Sequence, residues 1–221
     1  MAQSIEIDDL LQPRLGEAQR QAIAHAEANP VVLTVEAVLG AARARTGLSD
    51  FGPEDFLGRL RRLVDEWNGD TRMYAMNRAV LFSYAVRHAS NRLLIQDVLN
   101  RHPEIHEETV ERPIIVVGLP RSGTTHLLNL LGADTRLRST PLWEVYEPLP
   151  IPGEAPGPDG VDPRYARCAA IWDMMQKSSP LSAAMHPMDP DHFHEDLELM
   201  GPDFAFPLPS AERLNNPKIG G

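Results

Sequence analysis

The sequence predicts an α/β chain: a layer of helices followed by a parallel sheet of which this chain carries only part. Three observations predict it. Apolar residues recur at helical spacing between residues 13 and 102. The run Arg112-Pro-Ile-Ile-Val-Val-Gly118 is β-branched and bounded by Pro and Gly, the pattern of a strand buried on both faces. A glycine loop then leads into another helical stretch, the strand–loop–helix order of phosphate-binding α/β units. Residues 1–110 are therefore assigned to a helical N-terminal region, 111–205 to a partial α/β domain and 206–221 to an irregular tail.

Each helix has its own signals. Thr34 is an N-cap for the stretch ending in Arg43, Arg45 and the stop residue Gly47. Pro53 opens the next helix with acids in its first turn, and Phe56, Leu57, Leu60, Leu63 and Val64 line one face. A third pattern runs from about Thr71 to Asn100 and ends before Pro103. Such helices serve either as a packing layer or as a cap over a substrate entrance. After the β-branched run, Leu127, Leu130 and Leu131 give a helix from Thr124 to Leu131. A second strand is placed near Leu137 to Thr140. Of the 20 prolines, 14 lie from Pro141 onward, so residues 148–163 are irregular. Helices follow from Pro163 to about Gln176 and from near Pro190, the latter carrying Glu195, Leu197 and Leu199.

Composition narrows the function. With 21 basic and 31 acidic residues the net charge is −10, which argues against general binding to nucleic acid or anionic membrane. The lone Cys168 forms no internal disulfide and suits a reducing compartment. The acidic start lacks the apolar core of a secretory signal. The charge-free stretch Ser122 to Ala133 is far short of the ~20 residues of a membrane helix. The expectation is a cytoplasmic protein without a transmembrane segment.

The chemistry is concentrated in Gly118-Leu-Pro-Arg-Ser-Gly-Thr-Thr125. The glycines permit a tight turn that presents backbone N–H groups to an anion. The following helix aims its unpaired N–H groups and positive dipole end at the same space. Ser122, Thr124 and Thr125 add hydroxyls, and Arg121 adds a planar cation suited to phosphate or sulfate oxygens. The spacing is that of a P-loop, but Thr124 stands where a nucleotide triphosphatase has Lys, which disfavours ATP or GTP hydrolysis.

These residues resemble the 5′-phosphosulfate loop of sulfotransferases that use 3′-phosphoadenosine 5′-phosphosulfate (PAPS). The likeness is to the bacterial group that writes the loop Pro-Arg-Ser-Gly-Thr-Thr. It extends loosely over the helical N-terminal stretch, through Leu142-Trp-Glu-Val-Tyr-Glu-Pro148, to about Met200. The resemblance implies a P-loop-like sheet and sulfuryl transfer from PAPS to the hydroxyl of a small-molecule alcohol or phenol. It assigns Gly118, Pro120, Arg121, Ser122, Gly123, Thr124 and Thr125 to the donor, with Arg121 also stabilising the leaving phosphate. It points to Glu144, at the end of a following strand, as the base; a surface carboxylate is the other reading, and Glu147 is the neighbouring candidate. It carries His186 and Glu195 over to the acceptor site. His192, His194 and Asp196 offer metal-ligand chemistry, but two-residue spacing on a helix does not face one point, so no metal is expected. Arg136 and Arg138 are read as solvated, within a locally basic stretch.

The chain departs from the family pattern after the loop. Residues beyond Gly118 contain five Val or Ile, with no further run like Ile114 to Val117. The family's Arg and Ser for the 3′-phosphate have no counterpart before Gly221. The expectation is a C-terminally truncated sulfotransferase with impaired catalysis. Two other classes compete: a P-loop nucleotide-binding protein, and a non-catalytic helical interaction module.

Overall fold

Local signals set the helices where the sequence places them. Thr34 accepts a bond from the Ala37 amide (3.2 Å), and Gly47 ends the helix in the left-handed region at φ 71°. The computed structural model describes residues 11–12, 14–119, 122–179, 181, 184 and 188–205. The helices are α1 (Glu17–Ala28), α2 (Val35–Thr46), α3 (Asp55–Gly69), α4 (Ala75–Arg101), α5 (Thr124–Gly132), α6 (Leu142–Tyr146) and α7 (Pro163–Ser178). Short 3₁₀ helices cover Pro103–Glu107 and Asp196–Asp203. No helix among the described residues is long and apolar enough to cross a membrane.

The main core lies in the N-terminal layer. Val38 and Ala42 of α2, Phe56, Leu60, Val64 and Trp67 of α3, and Leu81, Ala85, Ala89 and Leu93 of α4 are buried together. Each large side chain contributes about 1.5–3 kcal/mol by leaving water. Phe204 reaches this core from the far end of the chain and stacks on Phe56 at 6.1 Å. A smaller core joins α6 and α7 through Leu142, Val145 and Cys168, with Trp143, Tyr146, Trp172 and Met188 around it. Burial pushes the Cys168 thiol up to about 12, so it packs as a small apolar residue.

Arg87 fastens the two cores. It is buried on α4, where its guanidinium lies 3.7 Å from the Tyr146 ring centroid. It donates to the Tyr146 carbonyl (3.1 Å) and to Glu198 of the second 3₁₀ helix (2.7 Å). Asn91 reaches the same carbonyl at 2.9 Å. Beside Arg87, His88 is fully buried, and its Nδ1 has no hydrogen-bond partner among the described residues. Burial, then the Arg87 charge, hold its pKa well below the ordinary histidine value.

The parallel sheet is not found. No strand occurs among the described residues, and the one β-type contact is an isolated antiparallel bridge between Pro141 and Phe193. The run Ile114 to Val117 is irregular and lies outside, with Ile114, Ile115 and Val117 exposed by 62%, 74% and 86%. A strand exists by pairing, and the sequence supplies no second β-branched run to pair with it. Residues 137–140 form no strand either. Glu144 therefore stands in the first turn of α6 rather than at a strand end. The helix placed near Pro190 is a 3₁₀ helix that begins at Asp196. The tail from Phe206 lies outside the described residues.

Two outcomes follow. A Cβ on Gly201 would stand 1.9–2.6 Å from three atoms of the His88 ring, so Gly201→Ala is expected to cost roughly 1–3 kcal/mol in urea unfolding. His88 is held neutral in the folded chain, so the unfolded chain binds one more proton below the ordinary histidine pKa of 6.5. Stability is full above pH ~6.5 and falls below it by up to about 1.4 kcal/mol per pH unit. Unfolding free energies between pH 7.5 and 5 should show this slope in the native chain and lose it in His88→Gln.

Candidate functional site

The loop after the β-branched run is built as a turn into a helix. The Ser122 amide and hydroxyl both donate to the Leu119 carbonyl, at 3.2 and 2.6 Å. Gly123 adopts φ 94°, a left-handed conformation open to glycine and strained for other residues, and sits at the N-cap of α5. Gly118 is tightly overlaid: a Cβ there would meet Ser122 Oγ and Thr124 Cγ2 at 2.7 Å. Thr124 and Thr125 then occupy the first turn of α5, where backbone N–H groups have no partner inside the helix. Pro120 and Arg121 lie outside the described residues, as does His186.

Residues 190–195 are laced to this helix and to the start of α6. The Leu142 amide donates to the His192 carbonyl (2.8 Å), Trp143 to Pro190 (3.2 Å), and His194 to Thr140 (3.0 Å). From α5, Asn129 hydrogen-bonds the Phe193 backbone. The result places Glu195 beside the loop helix, where Thr125 Oγ1 donates to its Oε1 at 3.3 Å. Glu195, the residue that the resemblance carries over to the acceptor side, thus adjoins Thr125 at the start of α5. Asn129 was not among the residues picked from the sequence. Its signal was there: one polar residue inside the apolar run Leu127-Leu-Asn-Leu-Leu131.

The other carboxylates are sorted by their arginines. Glu144 is partly exposed and ion-paired with Arg138, whose side chain is largely in solvent. Glu147 is buried, with a side chain only 7% exposed, and is bound by Arg45 at 2.7 Å and Arg167 at 2.6 Å. Arg167 also binds Glu154, and that hydrogen bond holds the Glu154 carboxyl below its ordinary range. Glu147 is a structural tie between α2, α6 and α7; Glu144 is the accessible carboxylate of the pair. Among the described residues, no group of three or more His, Cys, Asp or Glu is gathered to hold a metal.

The fold is similar to solved sulfotransferases. One is sulfotransferase STF9 of Mycobacterium avium, at 28% identity and a TM-score of 0.64 over 81% of this chain and 46% of that one. Another is sulfotransferase STF1 of Mycobacterium tuberculosis H37Rv, at 29% identity and a TM-score of 0.59 over 77% of this chain and 47% of that one. The shared portion is too large to lie within residues 113–221 alone, so the helical layer takes part in it. The chain spans less than half the length of either structure. No match was found among curated proteins. Residues 113–217, just under half of the chain, match the sequence profile of the sulfotransferase family. The matched segment runs past Met200 and across most of the tail.

The two carboxylates predict opposite behaviour on substitution. Glu147→Gln removes the buried charge that ties Arg45 and Arg167, with an expected loss of about 1–3 kcal/mol in chemical unfolding. Glu144→Gln breaks a pair open to solvent and is expected to cost less than about 1 kcal/mol.

Proposed function

We propose that Gly118–Thr125 and the first turn of α5 form the 5′-phosphosulfate end of a PAPS site. The reaction would be sulfuryl transfer to the hydroxyl of a small-molecule alcohol or phenol. One observation carries this reading: the left-handed Gly123 delivers Thr124 and Thr125 into the first turn of α5, inside the segment the family profile matches. Helix N–H groups, hydroxyls and a close-approach glycine form the donor set that an anionic oxygen cluster requires. Nothing in that set asks for a metal.

The chain's own groups then have distinct tasks. Gly118, Pro120, Ser122, Gly123, Thr124 and Thr125 hold the 5′ end, and Arg121 offsets the charge left on the departing phosphate oxygen. Glu144 takes the acceptor's proton as the acceptor oxygen bonds sulfur and the sulfur–phosphate oxygen bond breaks, a contribution of roughly 10²–10⁴-fold. Glu144 is the more accessible of the two neighbouring carboxylates, whereas Glu147 is buried between two arginines. His186 and Glu195 line the acceptor side. A cytoplasmic setting accords with the single, buried Cys168.

Calorimetric titration with 3′-phosphoadenosine 5′-phosphate, beside ADP and ATP·Mg, tests the reading. Binding is expected with the desulfated donor and should weaken about 10-fold or more in Arg121→Ala, in line with loss of a hydrogen bond between charged groups. Preference for ATP·Mg, or undiminished binding by folded Arg121→Ala, would overturn it.

A further inference from the structure

Resting on that reading, we propose that Asn129 is a positioning residue that fixes Glu195 at the first turn of α5. Asn129 lies four residues after Thr125, on the same face of the helix. Its carboxamide meets the Phe193 peptide backbone twice: Oδ1 accepts from the Phe193 amide at 3.1 Å, and Nδ2 donates to the Phe193 carbonyl at 3.2 Å. Nδ2 also donates to the Thr125 carbonyl at 2.9 Å. A primary amide sets a donor beside an acceptor, as a peptide group does, so this side chain imitates a neighbouring strand for Phe193.

Gly132 completes the fit. A Cβ there would lie 2.2 Å from the Phe193 ring, so the ring rests directly against the helix. Phe193 is fixed by both contacts, and the His194 amide donates to the Thr140 carbonyl at 3.0 Å, so the chain two residues on lies along α5. That delivers the Glu195 carboxylate to Thr125 Oγ1. The position is unfavourable for a carboxylate beside a bound anion, and Asn129 is the side chain of α5 that holds the segment against it. In the reading above, this carboxylate stands where donor and acceptor meet.

Two measurements separate positioning from general support. In the affinity for 3′-phosphoadenosine 5′-phosphate, Glu195→Gln removes a charge facing the ligand and is expected to tighten binding about 5-fold or more. Asn129→Ala releases the carboxylate and should also tighten binding, but should add nothing in the Glu195→Gln background. A purely supporting side chain would weaken binding equally in both backgrounds, and that result overturns the proposal. The second measurement needs no nucleotide. Glu195→Gln should shift the Thr125 amide resonance in the native chain and leave it unmoved in Asn129→Ala or Gly132→Ala. Persistence of the shift in these folded variants also overturns the proposal. If no variant binds the nucleotide while the resonance coupling behaves as expected, Asn129 keeps its role and the donor-site reading alone falls.

Discussion

One buried guanidinium sets the geometry on which the rest depends. Arg87 is out of water, so its charge must be compensated on every side. The Tyr146 carbonyl, the Tyr146 ring and Glu198 supply that compensation from two other elements. Satisfying Arg87 therefore fixes the end of α6 and the second 3₁₀ helix against α4. Once α6 is fixed, its leading amides at Leu142 and Trp143 fix residues 190–192. Glu195 follows from there. A charge buried in the helical layer thus anchors the segment on which Asn129 places Glu195, and Gly201 lets the 3₁₀ backbone lie on the neighbouring His88 ring.

The second constraint is electrostatic. In a chain of net charge −10, the acids near the loop are mostly tied to arginines. Glu147 and Glu154 are tied by Arg167, and Glu144 by Arg138. Glu195 is the exception: its described partner at the loop is a threonine hydroxyl, not a cation. An untied carboxylate beside a helix N-terminus is stabilised by the helix dipole while the site is free of ligand and opposes an incoming anion. That gives Glu195 a different character from the carboxylates nearby.

How much was legible in the sequence depends on the range of the interaction. Thr34 and Gly47 marked α2 because caps act over three or four residues. Gly123 marked the loop because a left-handed turn is a local demand. The run Ile114 to Val117 read as a buried strand because β-branched residues favour that state wherever partners exist. Here no described partner exists, and the same residues lie in the open. Glu144 moved with that error: its place in the sequence was read through a strand, and the chain makes a short helix there.

By itself, the sequence determined the helices of the N-terminal layer, the glycine turn into α5 and the likeness of residues 113–217 to the sulfotransferase family. These depend on residues close together in the chain, where conformational preference and capping suffice. The tertiary structure alone decided that Glu147 is a structural tie and Glu144 is accessible. It also decided that the early run has no strand partner among the described residues, and that Asn129 and Phe193 bring Glu195 to Thr125. The partners in these contacts are far apart in sequence, up to 102 residues for Arg45 and Glu147. Local residue patterns carry no record of such contacts, because they form only when packing brings distant segments together.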